Sequence, residues 1–285
     1  VFVSLGIGIS MAGPTVLPAI ALAGLVAMCN GLNSAQLAAN HPVSGGTYEY
    51  GHRWLNPSLG FVAGWMFLCA KSASAATAAL GFALYLAPDH QIPVALGTVA
   101  LTTSITLTGM QRSNTVNALI VGAVLLALLA FVALGAPAID ADPERWQTTL
   151  QPGQFGQLLP TAALMFVAFT GYGRIATLGE EVTEPRRTIP RAVLTTLILS
   201  MLLYIGVAWV SLANAENEIG SLANLAEEFS GSTLRKVMLV AAAIAMVSVL
   251  LNLVLGLSRV VLAMGRRGDL PKATAHIRLT SSTPT

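Results

Sequence analysis

The sequence predicts an all-α integral membrane protein, and three observations predict it. Of the 285 residues, 54% are hydrophobic and only 10% are charged, whereas soluble domains carry roughly a quarter charged residues. Mean hydropathy is +0.70. The apolar residues are also gathered into runs of about 20, the length that crosses the hydrocarbon core of a bilayer.

Taken in order, full candidate spans fall at 15–39, 58–86, 92–110, 115–138, 158–179, 189–213 and 235–264. The opening segment, 1–13, is too short to cross and has no charged flank before it. With no initiator Met or signal peptide, it reads as the second half of a span, so the chain is expected to be a fragment. It forms one incomplete transmembrane domain over 1–285. No connection holds a domain-sized insertion. "HPVSGGTYEYGHRWLNP" (41–57) is rich in Gly and aromatic residues. It reads either as a segment at headgroup level or as a plain loop.

The connections alternate in charge. His52 and Arg53, then Arg112, then Arg186, Arg187 and Arg191, then Arg266, Arg267, Lys272 and Arg278 form one set. The other set is acidic: Asp89; Asp140, Asp142 and Glu144; Glu216, Glu218, Glu227 and Glu228. Arg145, Arg235 and Lys236 stand against the trend. Positive residues stay inside, so the chain is expected to enter its first span from the cytoplasm. A multi-pass protein of a bacterial inner membrane is the expected setting. Cys29 and Cys69 lie within spans and read as small packing residues rather than a disulfide. His41, His52, His90 and His276 lie in loops or at span edges, without metal-ligand spacing. No nucleophile–base set occurs, so no enzyme, metal, cofactor or nucleic-acid partner is expected.

Two segments are interrupted by glycine: the first, "VFVSLGIGISMAG" (1–13), and the sixth, "FTGYGRIATLG" (169–179). Membrane helices break only where the freed backbone is buried in protein or lines a cavity. The two segments lie five spans apart, the offset of a five-plus-five inverted repeat with discontinuous helices at corresponding positions. The halves share no readable similarity, so position alone carries this. Gly6, Gly8 and Gly13 equally suit close helix packing; packing gives no reason for Arg174.

Three stretches resemble one family. "HPVSGGTYEYGHRWLNPSLGFVAGWMF" (41–67) is similar to the P-x-x-G-G-x-Y segment and following G-W of the amino acid–polyamine–organocation permease superfamily. "AFTGYGRIATLGEEVTEPRRTIPRAV" (168–193) resembles its F-x-G-[FY] break and the E-E-x-x-x-P-x-[KR]-x-[IV]-P-[RK]-A that follows. "SRVVLAMGRRGDLPK" (258–272) resembles the end of its eighth span. The order and spacing match over nearly the whole chain. Arg267-Gly268-Asp269 departs from the family's usual Arg-Asp-Gly, and Arg174 is not a fixed family feature. The resemblance implies a LeuT-like five-plus-five transporter fold with discontinuous first and sixth helices. It also implies a G-[SA]-G break just before Val1, and spans nine to twelve after Thr285.

The sixth-span break has a chemistry of its own. A helix ending near Phe169 and Thr170 leaves unpaired carbonyls and a negative dipole end, suited to an ammonium group. A helix restarting near Gly173 offers free amides to an anion. Gly171 and Gly173 let backbone approach a ligand, and Tyr172 is placed to line a side-chain pocket. The implied first-span break adds the amides of Val1, Phe2 and Val3 as a carboxylate nest. The resemblance further implies that Phe169 gates the ligand. For Arg174 two readings stand: contact with the acidic end of the substrate, or an inner gate with Glu180 or Glu181.

Lys71 lies about 13 residues into its span, near mid-depth at ~1.5 Å per residue. A lysine there costs ~2.5–3.5 kcal/mol on insertion scales, so it should face protein. It reads as a coupling residue, as an anchor between helices, or as a residue nearer the surface. Ser248 and Asn252, one turn apart, either coordinate sodium or hydrogen-bond a neighbouring helix. Asn30, Asn33 and Gln36 give the second span a polar stripe.

The expected activity is therefore secondary transport of amino acids by alternating access, proton-coupled or by exchange, with proton or sodium as the coupling ion. Neutral substrates are preferred, because Lys71 and Arg174 would repel a second cation. A transporter-like sensor or accessory subunit is the alternative. A channel would need a continuous polar lining along several spans.

Overall fold

The computed structural model describes residues 2, 4–43, 45–107, 110–137, 139, 155–173, 182–214, 221–275, 277–278 and 283–284. Helix α1 (Ser4–Ala12) passes through a 3-10 turn at Gly13–Thr15 into α2 (Val16–Asn40). Gly13 takes φ +51°, a left-handed value open to a residue without Cβ. α3 (Thr47–Trp54) is a short amphipathic helix, followed by α4 (Pro57–Leu86), α5 (Gln91–Leu107) and α6 (Met110–Gly135). α7 (Phe155–Phe169) runs directly into a 3-10 turn at Thr170–Tyr172. Then come α8 (Pro185–Asn214), α9 (Leu222–Ser230) and α10 (Ser232–Arg267). Strands β1 (Ile277–Arg278) and β2 (Thr283–Pro284) pair antiparallel.

Local chemistry sets several of these ends. The Asn56 side chain accepts a 2.7 Å hydrogen bond from the Leu59 amide, and Pro57 occupies the first turn of α4, a position that tolerates its missing N–H. Ser221 caps α9 through the Asn224 amide at 3.2 Å. At the far end of α6, the Asn214 amide donates to the Gly135 carbonyl at 3.0 Å, one of the acceptors a helix end leaves open.

Among the described residues, five helical stretches are long and apolar enough to cross a bilayer: 4–40, 57–86, 115–135, 185–214 and 232–267. Of the runs read from hydropathy, 92–110 overlaps α5, of 17 residues, and 158–179 begins within α7, of 15. At ~1.5 Å per residue neither matches a ~30 Å core alone. In α7 the reason is the turn at Thr170: hydropathy continues through it and the α-helix does not. Large side chains such as Ile92 (70% exposed), Leu119 (71%) and Leu126 (69%) face outward, as lipid-facing positions do.

The chain divides into two compact units. One comprises 1–32, 123–172 and 193–242; the other comprises 33–122, 173–192 and 243–285. In the first, α1 packs on α7. A Cβ at Gly8 would stand 3.2 Å from the Met165 methyl, so glycine sets how near the two helices lie. Phe131 meets Phe229 edge-on at 5.2 Å, seating α9 on α6. In the second unit, α3 lies across α4 with Gly51 against Gly60, where a Cβ on Gly51 would come within 2.7 Å of the Gly60 Cα. Ala78, Ala79 and Ala83 of α4, Ala95 of α5 and Leu250 of α10 form a core of mostly small side chains.

Candidate functional site

In the first unit the end of α7 is built from aromatic rings and hydroxyls. Phe169 is buried, its ring 5.1 Å from that of Tyr204 on α8. The Tyr204 hydroxyl donates to the Ala168 carbonyl at 3.3 Å, and the Thr170 hydroxyl donates to the Val167 carbonyl at 2.9 Å. Two carbonyls near the helix end thus find side-chain partners, as the end of an α-helix requires. Past this point the backbone is a 3-10 turn. Gly171 and Gly173 flank Tyr172, and a Cβ at either would meet nothing within 4 Å. The Tyr172 ring lies beside Gly31 of α2, 3.7 Å from where a Cβ there would stand.

Of the residues singled out from sequence, Phe169, Thr170, Gly171, Tyr172 and Gly173 are therefore together on one turn, while Phe2 is buried at the start of the chain. Val1, Val3, Arg174, Glu180 and Glu181 lie outside the described residues. Asn30, legible as one member of a polar stripe, lies on α2 next to Gly31. Gly24 and Gly31 of α2, which lie against Phe169 and Tyr172, carried no distinguishing signal in the sequence.

The second unit holds the remaining candidates. Lys71 sits in α4, its Nζ 5.9 Å from the centre of the Phe67 ring one turn earlier, within cation–π range. Ser248 and Asn252 of α10 converge on one atom: the Asn117 Oδ1 of α6 accepts from the Ser248 hydroxyl at 2.6 Å and from the Asn252 amide at 2.9 Å. These bonds tie α10 to α6. Among the described residues, no group of three or more His, Cys, Asp and Glu is placed to hold a metal ion.

A further polar constellation joins α3 to the end of α10. Arg267 forks onto Glu49, Nε to Oε1 at 2.9 Å and Nη2 to Oε2 at 2.6 Å. The Tyr48 hydroxyl donates to Asp269 Oδ2 at 2.7 Å, and His52 Nε2 lies 3.3 Å from the same oxygen. Tyr48 is fully buried against Val260, Ala263 and Met264. Burial and the Asp269 carboxylate push its phenol well above the ordinary tyrosine value. Burial alone pushes the neighbouring Tyr50 up to about 12. The sequence showed the Arg-Gly-Asp departure at 267–269 without showing what it faced.

The family model for amino acid permeases matches residues 1–278. An uncharacterized transporter of Mycobacterium tuberculosis is 38% identical over 282 residues, covering 97% of this chain and 64% of the relative. The branched-chain amino acid permease BcaP of Bacillus subtilis is 25% identical, covering 100% of this chain and 67% of its own. The cationic amino acid transporter 9, chloroplastic, of Arabidopsis thaliana is 28% identical over 98% of this chain and 54% of its own. The chain thus spans about two thirds or less of these relatives' lengths. These relatives are transporters and permeases by name, not enzymes. With a family model covering nearly its whole length on a helical, membrane-spanning scaffold, the chain belongs to the amino acid permease family.

Proposed function

We propose that the protein is a secondary transporter that moves amino acids across the membrane by alternating access, with the substrate bound at the turn after α7. The observation that carries this is the turn itself. An apolar helix ends at Phe169 and tightens at Thr170–Tyr172, where glycines on either side of Tyr172 have open space beside them. In a membrane such backbone is tolerated where it lines a cavity. The carbonyls of Phe169 and Thr170 receive the substrate ammonium, and the amides near Gly173, with those of Val1, Phe2 and Val3, receive its carboxylate. Phe169 gates from above, leaving its packing on Tyr204 to do so; Arg174 with Glu180 or Glu181 gates from below. Transport is proton-coupled or by exchange, with Lys71 as the coupling candidate. A bacterial inner membrane with the amino terminus in the cytoplasm is the setting that the loop charges support.

Neutral amino acids are the preferred substrates. A cation at Arg174, two residues on from Tyr172 in the chain, disfavours a second positive charge, and BcaP is named for branched-chain substrates, although another relative is named for cationic ones. The test is uptake into liposomes by the complete polypeptide, using a panel of labelled amino acids with and without an inward proton gradient. Wild type and Lys71→Ala are compared. Gradient-stimulated uptake of neutral amino acids, lost in Lys71→Ala while binding persists, is expected. Saturable arginine uptake without neutral uptake would overturn the substrate assignment. Absence of all uptake, with binding retained, would replace the transporter by a sensor.

A further inference from the structure

In the first unit α2 is buried along Ala23, Gly24 and Ala27. A Cβ on Gly24 would stand 3.6 Å from Cζ of the Phe169 ring, 2.6 Å from the Met201 sulfur and 3.1 Å from the Met201 Cγ. The tip of the Phe169 ring is thus lodged against bare backbone of α2. The same ring packs on that of Tyr204 at 5.1 Å, and the Tyr204 hydroxyl donates to the Ala168 carbonyl at 3.3 Å. Only 3% of Phe169 is exposed, whereas a Cβ at Gly171 or Gly173 would meet nothing within 4 Å. The ring is therefore stowed in protein rather than standing in the open space beside those glycines.

We propose that Gly24 is a positioning residue for the gate: lacking a side chain, it gives the Phe169 ring a socket to withdraw into, and so sets how readily the substrate site opens. This inference rests on the turn after α7 being the substrate site and on Phe169 closing over it. The walls of the socket differ in stiffness. Met201 is an unbranched thioether that yields by rotation. The backbone of α2 does not yield, so the space at Gly24 is fixed by what residue 24 carries. A single Cβ there touches the ring and displaces the sulfur. Valine adds two methyls about 1.5 Å beyond Cβ, in a space bounded by that sulfur and the ring, with its χ1 nearly fixed by the helix. The stowed ring then loses its place, and the position over the substrate is favoured. Gly31, about two turns on, makes the contrast: a Cβ there would stand 2.9 Å from both Leu197 and Val193. It sets how near α2 and α8 lie, not where the gate ring rests.

The experiment uses the complete polypeptide in detergent and in liposomes, with labelled leucine as the probe. Gly24→Val should slow dissociation of bound leucine about tenfold, toward the low end of what overpacking a tight contact costs. Maximal uptake should fall in step while KM does not rise, because the ring is held over a site that is itself intact. Phe169→Leu removes the ring, so adding Gly24→Val to it should change dissociation by less than about threefold. Gly31→Ala should lower thermal stability, and Phe169→Leu should not relieve that loss. Dissociation from Gly24→Val within about threefold of wild type would overturn the inference. So would equal slowing by Gly24→Val with and without the Phe169 ring, which would make Gly24 a packing residue. If Gly24→Val does not fold, Gly24→Ala takes its place with a smaller slowing, about threefold, that Phe169→Leu abolishes; no slowing overturns the inference. Wild type that binds no amino acid would remove the site assignment itself. Phe169→Leu that binds and releases leucine as wild type does would remove the gate, an outcome separate from a gate that ignores residue 24.

Discussion

Replacing Arg267 with methionine should loosen α3 far more than the position of Arg267 on the molecule suggests. The Glu49 side chain is only 11% exposed, whereas that of Arg267 is 43% exposed. Removing the arginine leaves a carboxylate in a poor solvent without either of its forked hydrogen bonds. Losing one partner of a fully buried pair costs about 3–5 kcal/mol, and an exposed pair is worth about 0–1 kcal/mol. Because nearly half of Arg267 is in solvent, we expect about 2 kcal/mol. That is roughly a 30-fold rise in the population of opened α3, at about 1.4 kcal/mol per factor of ten.

Amide hydrogen exchange over Thr47–Trp54, read by mass spectrometry in detergent micelles, measures that opening directly. Glu49→Gln should cost less, about fivefold in exchange for a lost bond of about 1 kcal/mol, since the arginine it frees reaches water. The decisive species is Glu49→Gln with Arg267→Met. With no charge left buried, it should exchange more slowly than Arg267→Met alone. Exchange in Arg267→Met within about threefold of wild type, or a double variant as fast as Arg267→Met, would refute the reasoning.

Two further outcomes are expected. Asn117→Leu deletes the oxygen that receives Ser248 and Asn252; with interhelical bonds in membranes at about 0.6 kcal/mol each and up to about 1.7, it should cost about 1–2 kcal/mol in thermal unfolding. Adding Ser248→Ala to it should cost little more, while independent additive losses would show that the three residues do not act together. In alkaline titration, Tyr48→Phe and Tyr50→Phe should remove no phenolate absorbance below about pH 11, because both phenols hold their protons above the ordinary value of about 10. The sign follows: the folded protein binds these protons more tightly than the unfolded chain. Their contribution is therefore whole below about pH 10 and is lost as pH climbs through the folded values, so α3 should loosen in alkali. Loss of early phenolate signal in either variant would contradict the burial seen here.

Fold class was legible because it rests on composition and on run length, which local sequence carries. The family was legible because its motifs are local too. What sequence did not show are pairings across the chain. Tyr48 and Asp269 are 221 residues apart, Glu49 and Arg267 218, and Asn117 and Ser248 131. No periodicity links such positions. Ser248 and Asn252 could be read as a pair, one turn apart, but their common acceptor on α6 could not. Hydropathy was also blind to the end of α7, because Thr170-Gly171-Tyr172 hardly lowers the average over a window while the hydrogen-bond pattern changes.

The Arg267-Gly268-Asp269 order acquires a physical reason once the end of α10 is seen. Gly268 takes φ +85°, and its amide donates to the Gly265 carbonyl at 3.1 Å. The Asp269 amide donates back to the Met264 carbonyl at 3.0 Å. The helix is closed by a left-handed residue, the place where glycine is favoured and a side chain is strained by about 1 kcal/mol or more. An aspartate at 268 would have to adopt that φ. Glycine at 268 lets the chain turn at no such cost and moves the carboxylate one residue on, to 269, where it meets the Tyr48 hydroxyl and His52. What looked in the sequence like a transposition within a motif is, in the structure, the choice that lets one turn both end a helix and fasten another.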